Sequence, residues 1–429
     1  MRVVYLTAGA AGMVCGSCLH DNSLARALSR RGNDAVLVPV YTPILTDQQN
    51  VSQPQLFYGG LNVYLQQLSP VFRWLPKWSD AFLSSPRLVG WIASRAMGTS
   101  ANNLGALTVS MLRGEQGNQR KEAQRLTEWL SSLAPDLVIF SNLLIAGSLP
   151  AIQHTLPKCK SLVVLQGDDI FYNNLVEPYR SAALSELRRL AQVADRFLVH
   201  SRDYLHRMSQ LLQVSESKFL LSPLSIDADD LLAIEVEASE SKPPTIGYLA
   251  RLTPDKGLHY LVDAFIQLTR VEQYSKVRLE IAGWLGKQYL PYWDEQRTKL
   301  SRAGLESQFR YWGTINREEK KKFLASIDLL SVPTSYADPK GLFALEAMAA
   351  GVPYLLPSHG AFPELHEMAA AGQLHTPESV TDLIVKLTDM LGHPERTRQL
   401  GLAGREYVRT QATSDREAEV IERSFCSEL

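Results

Sequence analysis

The chain has little cysteine, almost no net charge and no long apolar run. Four cysteines occur in 429 residues: Cys15, Cys18, Cys159 and Cys426. Cys15 and Cys18 form a C-x-x-C, for which a redox site or half of a zinc site is the sharpest reading. No second C-x-x-C and no nearby His pair completes a zinc shell, and His20 alone does not suffice. The pair is therefore read as part of a small-residue loop between a strand and a helix. Lys and Arg total 44 against 45 Asp and Glu, a formal net charge of -1, so no global field favours nucleic acid. No run of eighteen apolar residues appears, so no transmembrane helix is indicated. The segment Met1-Arg2-Val3-Val4-Tyr5-Leu6-Thr7 enters a buried-type strand at once and lacks a signal peptide's apolar core. A cytoplasmic location is the expectation. Internal repeats and low-complexity tracts are absent. So are G-x-G-x-x-G and the P-loop's G-K-[ST], which argues against a Rossmann dehydrogenase.

What is there is an alternation of short apolar runs with helical stretches. Hydrophobic content of 45% and charged content of 21% fit a soluble globular protein, and the length suggests two or more domains. Residues 2–7 read as a strand, 19–31 as a helix and 35–40 as a second strand, a βαβ opening with a parallel sheet. Further strands are expected at 136–140, 162–165 and 195–201. A second series follows at 245–249, 277–283, 309–313, 329–333 and 353–356. Between the two series lie an acidic run, Asp227-Ala228-Asp229-Asp230, and Ser-Glu-Ser-Lys-Pro-Pro, read as a linker. The expected division is residues 1–226, a linker at 227–244, a second domain at 245–393, and helices at 394–429. Asp227 and Asp229 also form a D-x-D, but they stand before the linker rather than after a strand. We reject them as a metal site.

Two segments carry the chemistry. In the first, the strand Thr245-Ile246-Gly247-Tyr248-Leu249 runs into Arg251 and Lys256-Gly257, and a helix-like stretch follows. Arginine offers a bidentate fork and lysine a mobile point charge, both suited to phosphates. The bland reading is two surface cations in a βα loop. In the second, Asp338 precedes Gly341-Leu342, an amphipathic helix and a Gly-x-Pro stop, with Glu346 on the helix's second turn. Free N–H groups at a helix start form an anion site. Carboxylates beside it can accept hydrogen bonds from a ligand's hydroxyls. Phosphates plus hydroxyls describe a nucleotide sugar.

These segments resemble the G-R-L-x-x-x-K-G and E-x7-E motifs of retaining GT-B glycosyltransferases of family four, the group 1 glycosyl transferases. Asp338 replaces the first Glu, and Lys340 stands where the family has Phe. The resemblance covers nearly all of the second series and the two ends of the first. It implies an α/β GT-B fold, two doubly wound Rossmann-like domains facing a cleft, the last helix crossing back to the first domain. It implies that Arg251 and Lys256 grip the donor's diphosphate, that Asp338 holds the sugar, and that Glu346 holds the ribose. Gly341 and Leu342 would supply backbone N–H groups, and Ile315 would lie where the base is held. Gly16, in the first glycine loop, can approach donor phosphates from the other domain, and Gly59-Gly60 is a second such loop or only a turn. Gln166 stands where many members have His, which argues against a His-dependent acceptor mechanism. Asp168 and Asp169 beside it either bind sugar or acceptor hydroxyls or cap a helix.

The implied reaction is transfer of a hexosyl group from a nucleoside diphosphate sugar to an acceptor hydroxyl, with retention. Cations and a helix dipole replace a metal, and no cofactor beyond the nucleotide sugar is expected. The expected partners are the nucleotide sugar and a carbohydrate or lipid-linked acceptor. Alternatives are a nucleotide-sugar epimerase of the same fold and a non-catalytic nucleotide-sugar binder. Residues 71–96 mix Trp74, Trp78 and Trp91 with Arg73, Lys77, Arg87 and Arg95. Such a stretch can lie on a membrane's inner face or pack on its own domain.

Overall fold

A computed structural model describes residues 1–9, 16–54, 57, 101–235 and 243–426. Cys15, Gly59-Gly60 and residues 71–96 lie outside them. The chain divides into two compact units. One comprises Met1–Val199, Tyr204–Ser222 and Ala418–Leu429; the other comprises His200–Asp203 and Pro223–Glu417.

The first unit holds a six-stranded sheet in the order β2-β1-β3-β4-β5-β6. Its strands are β1 (Arg2–Thr7), β2 (Asp34–Pro39), β3 (Leu137–Phe140), β4 (Lys160–Val164), β5 (Arg196–Val199) and β6 (Phe219–Leu221). All pair in parallel. A parallel sheet is covered by helices on both faces, so its strands need side chains apolar in both directions. β3 is Leu-Val-Ile-Phe and fully buried. The helix Ser414–Cys426 sends Ala418, Ile421 and Phe425 into one of this unit's cores.

The second unit repeats the scheme with β7 (Thr245–Leu249), β8 (Arg278–Ala282), β9 (Phe309–Tyr311), β10 (Leu329–Ser331), β11 (Tyr354–Pro357) and β12 (Gly372–His375). The order is β12-β11-β10-β7-β8-β9, all parallel. Strand order reverses between β7 and β10. In doubly wound sheets the crevice outside the strands' carboxyl ends at such a point is where ligands bind.

The strands at both edges of the reading differ from expectation. β6 and β12 lie outside the expected strands; each is an edge strand of three or four residues with only partial burial, and β12 carries Gly372-Gln373 in place of an apolar run. The first helix begins at Gly16 rather than Leu19. Residues 227–232 belong to the second unit, because a short helix, Asp229–Leu232, plants Leu231 in that unit's core. Arg317 holds it there, reaching Asp230 Oδ1 at 2.6 Å and the Asp227 carbonyl at 2.8 Å. The helix Pro394–Gln411 likewise stays in the second unit: a Cβ at Gly401 would lie 2.0 Å from the Gly351 carbonyl oxygen.

Candidate functional site

The loops leaving β7 and β10 meet at the point where strand order reverses. Gly257 makes the meeting possible. Its φ is +72°, and a Cβ there would lie 1.8 Å from the Pro333 carbonyl oxygen. Ser335 N donates to the Asp255 carbonyl at 3.0 Å, which ties the loops together. Lys256 sits in the short 3-10 turn Pro254–Lys256 just before the helix Leu258–Leu268. Its ammonium donates to Asp338 Oδ2 at 2.7 Å and to the Tyr336 hydroxyl at 2.5 Å. It also lies over the Tyr336 ring, 4.8 Å from the centroid, and 5.6 Å from that of Phe343.

Asp338 is correspondingly full. Oδ2 accepts from Lys256 and from Tyr336 Oη, the latter at 3.0 Å, and Oδ1 accepts from Lys340 N at 3.0 Å. Burial, the largest single effect, would raise its pKa, but the Lys256 ammonium together with the hydrogen bonds from Lys340 N and Tyr336 Oη holds the carboxyl below its ordinary value. Burial would lower Lys256, and the neighbouring Asp338 and Tyr336 reverse that, leaving it above its ordinary value. Burial pushes the Tyr336 phenol up. The pair is thus ionised and mutually compensated.

Immediately beyond, Gly341 (φ +80°) starts the helix Leu342–Ala349, and no side chain caps it. A Cβ at Gly341 would meet Phe362 Cε1 at 2.5 Å. Glu346 is buried within this helix, and its Oε1 accepts from Lys320 Nζ at 2.6 Å. Arg251 follows β7 with its side chain 42% exposed, 3.8 Å from Asp255 Oδ2. Its carbonyl accepts from Tyr248 Oη at 3.0 Å. Ile315 is buried in the core one residue ahead of Asn316, which caps the helix Arg317–Ser326 in a reciprocal capping box with Glu319. The second unit therefore brings Lys256 and Asp338 into direct contact and pairs Glu346 with Lys320, while the ion partner of Arg251 is Asp255.

The remaining sequence candidates lie in the first unit. Gly16 opens the helix Gly16–Arg30. Gln166 Nε2 donates to Asp21 Oδ1 at 2.8 Å and to the Ser141 carbonyl at 2.9 Å. Asp168 does not cap its own helix; Gly167 holds the cap position, and the Asp168 carboxylate accepts from Leu143 N at 2.6 Å and Gln166 N at 3.0 Å. Burial raises its carboxyl to about 6, against these hydrogen bonds. Asp169 accepts from Tyr204 Oη and Arg207 Nη1, both at 2.9 Å. All three polar side chains thus spend hydrogen bonds on their own unit.

Sequence reasoning missed Tyr336 and Lys320. Lys320 left one signal. In Lys320-Lys321-Lys322-Phe323-Leu324 it shares a helical face with the two apolar residues three and four positions on, whereas its lysine neighbours do not. Tyr336 left none beyond standing two residues before Asp338.

Comparison with known proteins adds the class. Anabaena Alr3699/HepE, solved in complex with UDP and glucose, superposes with a TM-score of 0.71 at 15% identity, covering 100% of both chains. Sucrose-phosphate synthase from Thermosynechococcus elongatus gives a TM-score of 0.70 at 16% identity, covering 100% of this chain and 99% of that one. The fold is GT-B, with two Rossmann-like units in one chain. Residues 231–407, which carry the whole Lys256–Asp338–Glu346 constellation, match the family model described as Glycosyl transferases group 1. D-inositol 3-phosphate glycosyltransferase of Nocardia farcinica is 25% identical over 255 residues, covering 58% of this chain and 54% of that protein. The GDP-mannose-dependent alpha-(1-6)-phosphatidylinositol monomannoside mannosyltransferase of Mycobacterium tuberculosis is 28% identical over 174 residues, covering 39% and 43%. The chain spans about half the length, or less, of the curated relatives it matches.

Proposed function

We propose that this protein is a retaining, metal-independent glycosyltransferase of family four. It moves a hexosyl group from a nucleoside diphosphate sugar to an acceptor hydroxyl. The observation that carries this reading is the contact between Lys256 and Asp338, 2.7 Å apart beside an uncapped helix start at the strand-order reversal. Cleaving the donor's glycosidic bond leaves charge on the diphosphate. Preorganised cations and dipoles aimed at that charge are worth most where water is excluded. Lys256 and Arg251 supply the cations, and the N–H groups at Gly341 and Leu342 supply the helix end. Glu346 accepts from the ribose hydroxyls, with the base against the turn at Ile315. Asp338 acts first on Lys256, holding the ammonium in place, and reaches the sugar only in the ligand-bound state. The donor's own phosphate takes the acceptor's proton.

In the first unit we assign Gln166, Asp168 and Asp169 to shaping the loop after β4, since their hydrogen bonds are internal. Gly16 sits at the helix start nearest the glycine loop and lets donor phosphates approach. The names of the curated relatives, an inositol phosphate and a phosphatidylinositol mannoside enzyme, favour a polyol or lipid-linked acceptor. Among the described residues no helix is long and apolar enough to cross a membrane.

The test is a thermal-shift screen with UDP-, GDP- and ADP-sugars, followed by product analysis. A donor at a hundred times its Kd stabilises the fold by about 2.7 kcal/mol. The expected result is one stabilising donor and an α-linked product from an α-linked donor. An inverted linkage would refute retention, and an epimerised donor with no transfer product would refute the reading.

A further inference from the structure

Lys320 is buried, and so is its partner Glu346. Their side chains are 6% and 10% exposed, with Nζ and Oε1 2.6 Å apart. Stability does not account for such a pair. Removing two charges from water costs several kcal/mol per ion, and an apolar pair of similar volume generally serves the fold as well or better. The surroundings would suit apolar residues: Phe323 and Leu324 on the same helix face are fully buried. A lysine here is better explained by what it does to the carboxylate.

Two further features bear on that role. Lys320 engages Oε1 of Glu346, and among the described residues no partner engages Oε2, which is not a buried orphan. One oxygen is therefore anchored while the other stays available to a ligand. In addition, Lys320 lies one turn into the helix Arg317–Ser326, whose start is pinned by the Asn316–Glu319 capping box and by the Arg317–Asp230 ion pair. Ile315 directly precedes that cap. The turn proposed to hold the base and the carboxylate proposed to hold the ribose are thus joined through a single rigid element.

Resting on the glycosyltransferase reading above, we infer that Lys320 is a positioning residue that aims Glu346 at the ribose hydroxyls and so sets the preference for ribonucleotides over 2′-deoxyribonucleotides. Glu346 accepts from the ribose hydroxyls only if its carboxylate is correctly rotated. The Lys320 ammonium, donating to Oε1 at 2.6 Å, fixes that rotation. Without it, the carboxylate is free to rotate, and the contact with the ribose 2′-hydroxyl weakens.

The experiment uses the full chain and whichever of UDP, GDP or ADP it binds, each beside its 2′-deoxy counterpart, by isothermal titration. Wild type is expected to favour the ribonucleotide by about ten- to a hundredfold, the range for one hydrogen bond to a charged group. Lys320→Met should bring that ratio to near one, and Lys320→Arg should restore most of it. A folded Lys320→Met that keeps the wild-type ratio, or a wild type that shows no ribose preference, overturns the inference. If Lys320→Met loses its fold, Glu346→Gln and Glu346→Gln/Lys320→Met decide the matter. Both lack the carboxylate, so equal ratios in the two support action through Glu346. A further change in the double variant shows Lys320 touching the ligand itself and overturns it. A wild type that binds no nucleotide overturns the glycosyltransferase reading as well, whereas the variant outcomes bear on Lys320 alone.

Discussion

Replacing Asp338 with Ala should leave Lys256 as a buried cation without its counter-ion. The two side chains are 11% and 6% exposed, so solvent screens them little. Removing one partner of a buried pair costs about 3–5 kcal/mol. The Tyr336 hydroxyl and the rings of Tyr336 and Phe343 would remain around the ammonium, which favours the lower end, about 3 kcal/mol. For a domain of this size class that lowers Tm by roughly 6–12 °C. Asp338→Asn keeps an acceptor and loses only the charge, so it should cost about half as much. Lys256→Met/Asp338→Leu removes both charges and should return to within about 1 kcal/mol of wild type. The pH dependence has a definite sign. Asp338 is held below its ordinary 3.8, so its contribution is complete above that value and is lost only as pH falls through the lower folded value. Lys256 is held above its ordinary 10.5, so its contribution is complete below that and lost only as pH rises through the higher folded value. The stability gap between wild type and Asp338→Ala should therefore be flat from roughly pH 4 to 10. Urea denaturation across that range is the assay. An Asp338→Ala protein within about 1 kcal/mol of wild type, or a double variant less stable than the single one, would refute the account.

Arg251→Ala should cut turnover about a hundredfold without altering thermal stability, since the arginine is half-exposed and its only near ion partner among the described residues is Asp255 at 3.8 Å; unchanged kcat/KM would remove Arg251 from the site. Activity should survive EDTA if, as proposed, Lys256, Arg251 and the helix start at Gly341 do a metal's work; loss restored by Mg2+ or Mn2+ would contradict that assignment. Burial carries Asp168 from 3.8 to about 6, so ionising it in the folded state costs about 3 kcal/mol. That penalty is absent below 3.8 and complete above about 6. Wild type should therefore lose stability relative to Asp168→Asn as pH rises from 4 to 7, measured by denaturant titration, and a pH-independent difference would show that Asp168 is not the titrating group.

Much of this fold is legible in the sequence because a parallel sheet demands it. β3, β4 and β5 must be apolar on both faces, and they read as continuous apolar runs. β6 and β12 escape that demand, since an edge strand is covered on fewer sides and tolerates Gly372-Gln373 and a half-exposed Leu221. The site divides in the same way. Arg251, Lys256, Asp338 and Glu346 stand out by spacing and by resemblance to a family. Their partners do not, because an ion pair across 82 residues, Lys256 with Asp338, is a property of which loops the sheet brings side by side.

The pairing changes what the motif means. Read along the chain, Lys256 belongs to the phosphates and Asp338 to the sugar, as two independent ligands. In the folded unit they form one object, with Tyr336 closing the triangle and Gly257 allowing the loops close enough to make it. On the proposed reading, a diphosphate arriving at Lys256 would meet an ammonium already desolvated and oriented, so little reorganisation would remain when leaving-group charge develops. It would also meet a carboxylate whose position depends on the same ammonium. The shorter reach of Asp relative to Glu fits that arrangement, in which the carboxylate without ligand lies against Lys256 at 2.7 Å. The same logic repeats at Glu346 and Lys320, where the second acid of the motif is also held by a lysine from a different helix. Both acids are thus aimed by cations before any ligand arrives.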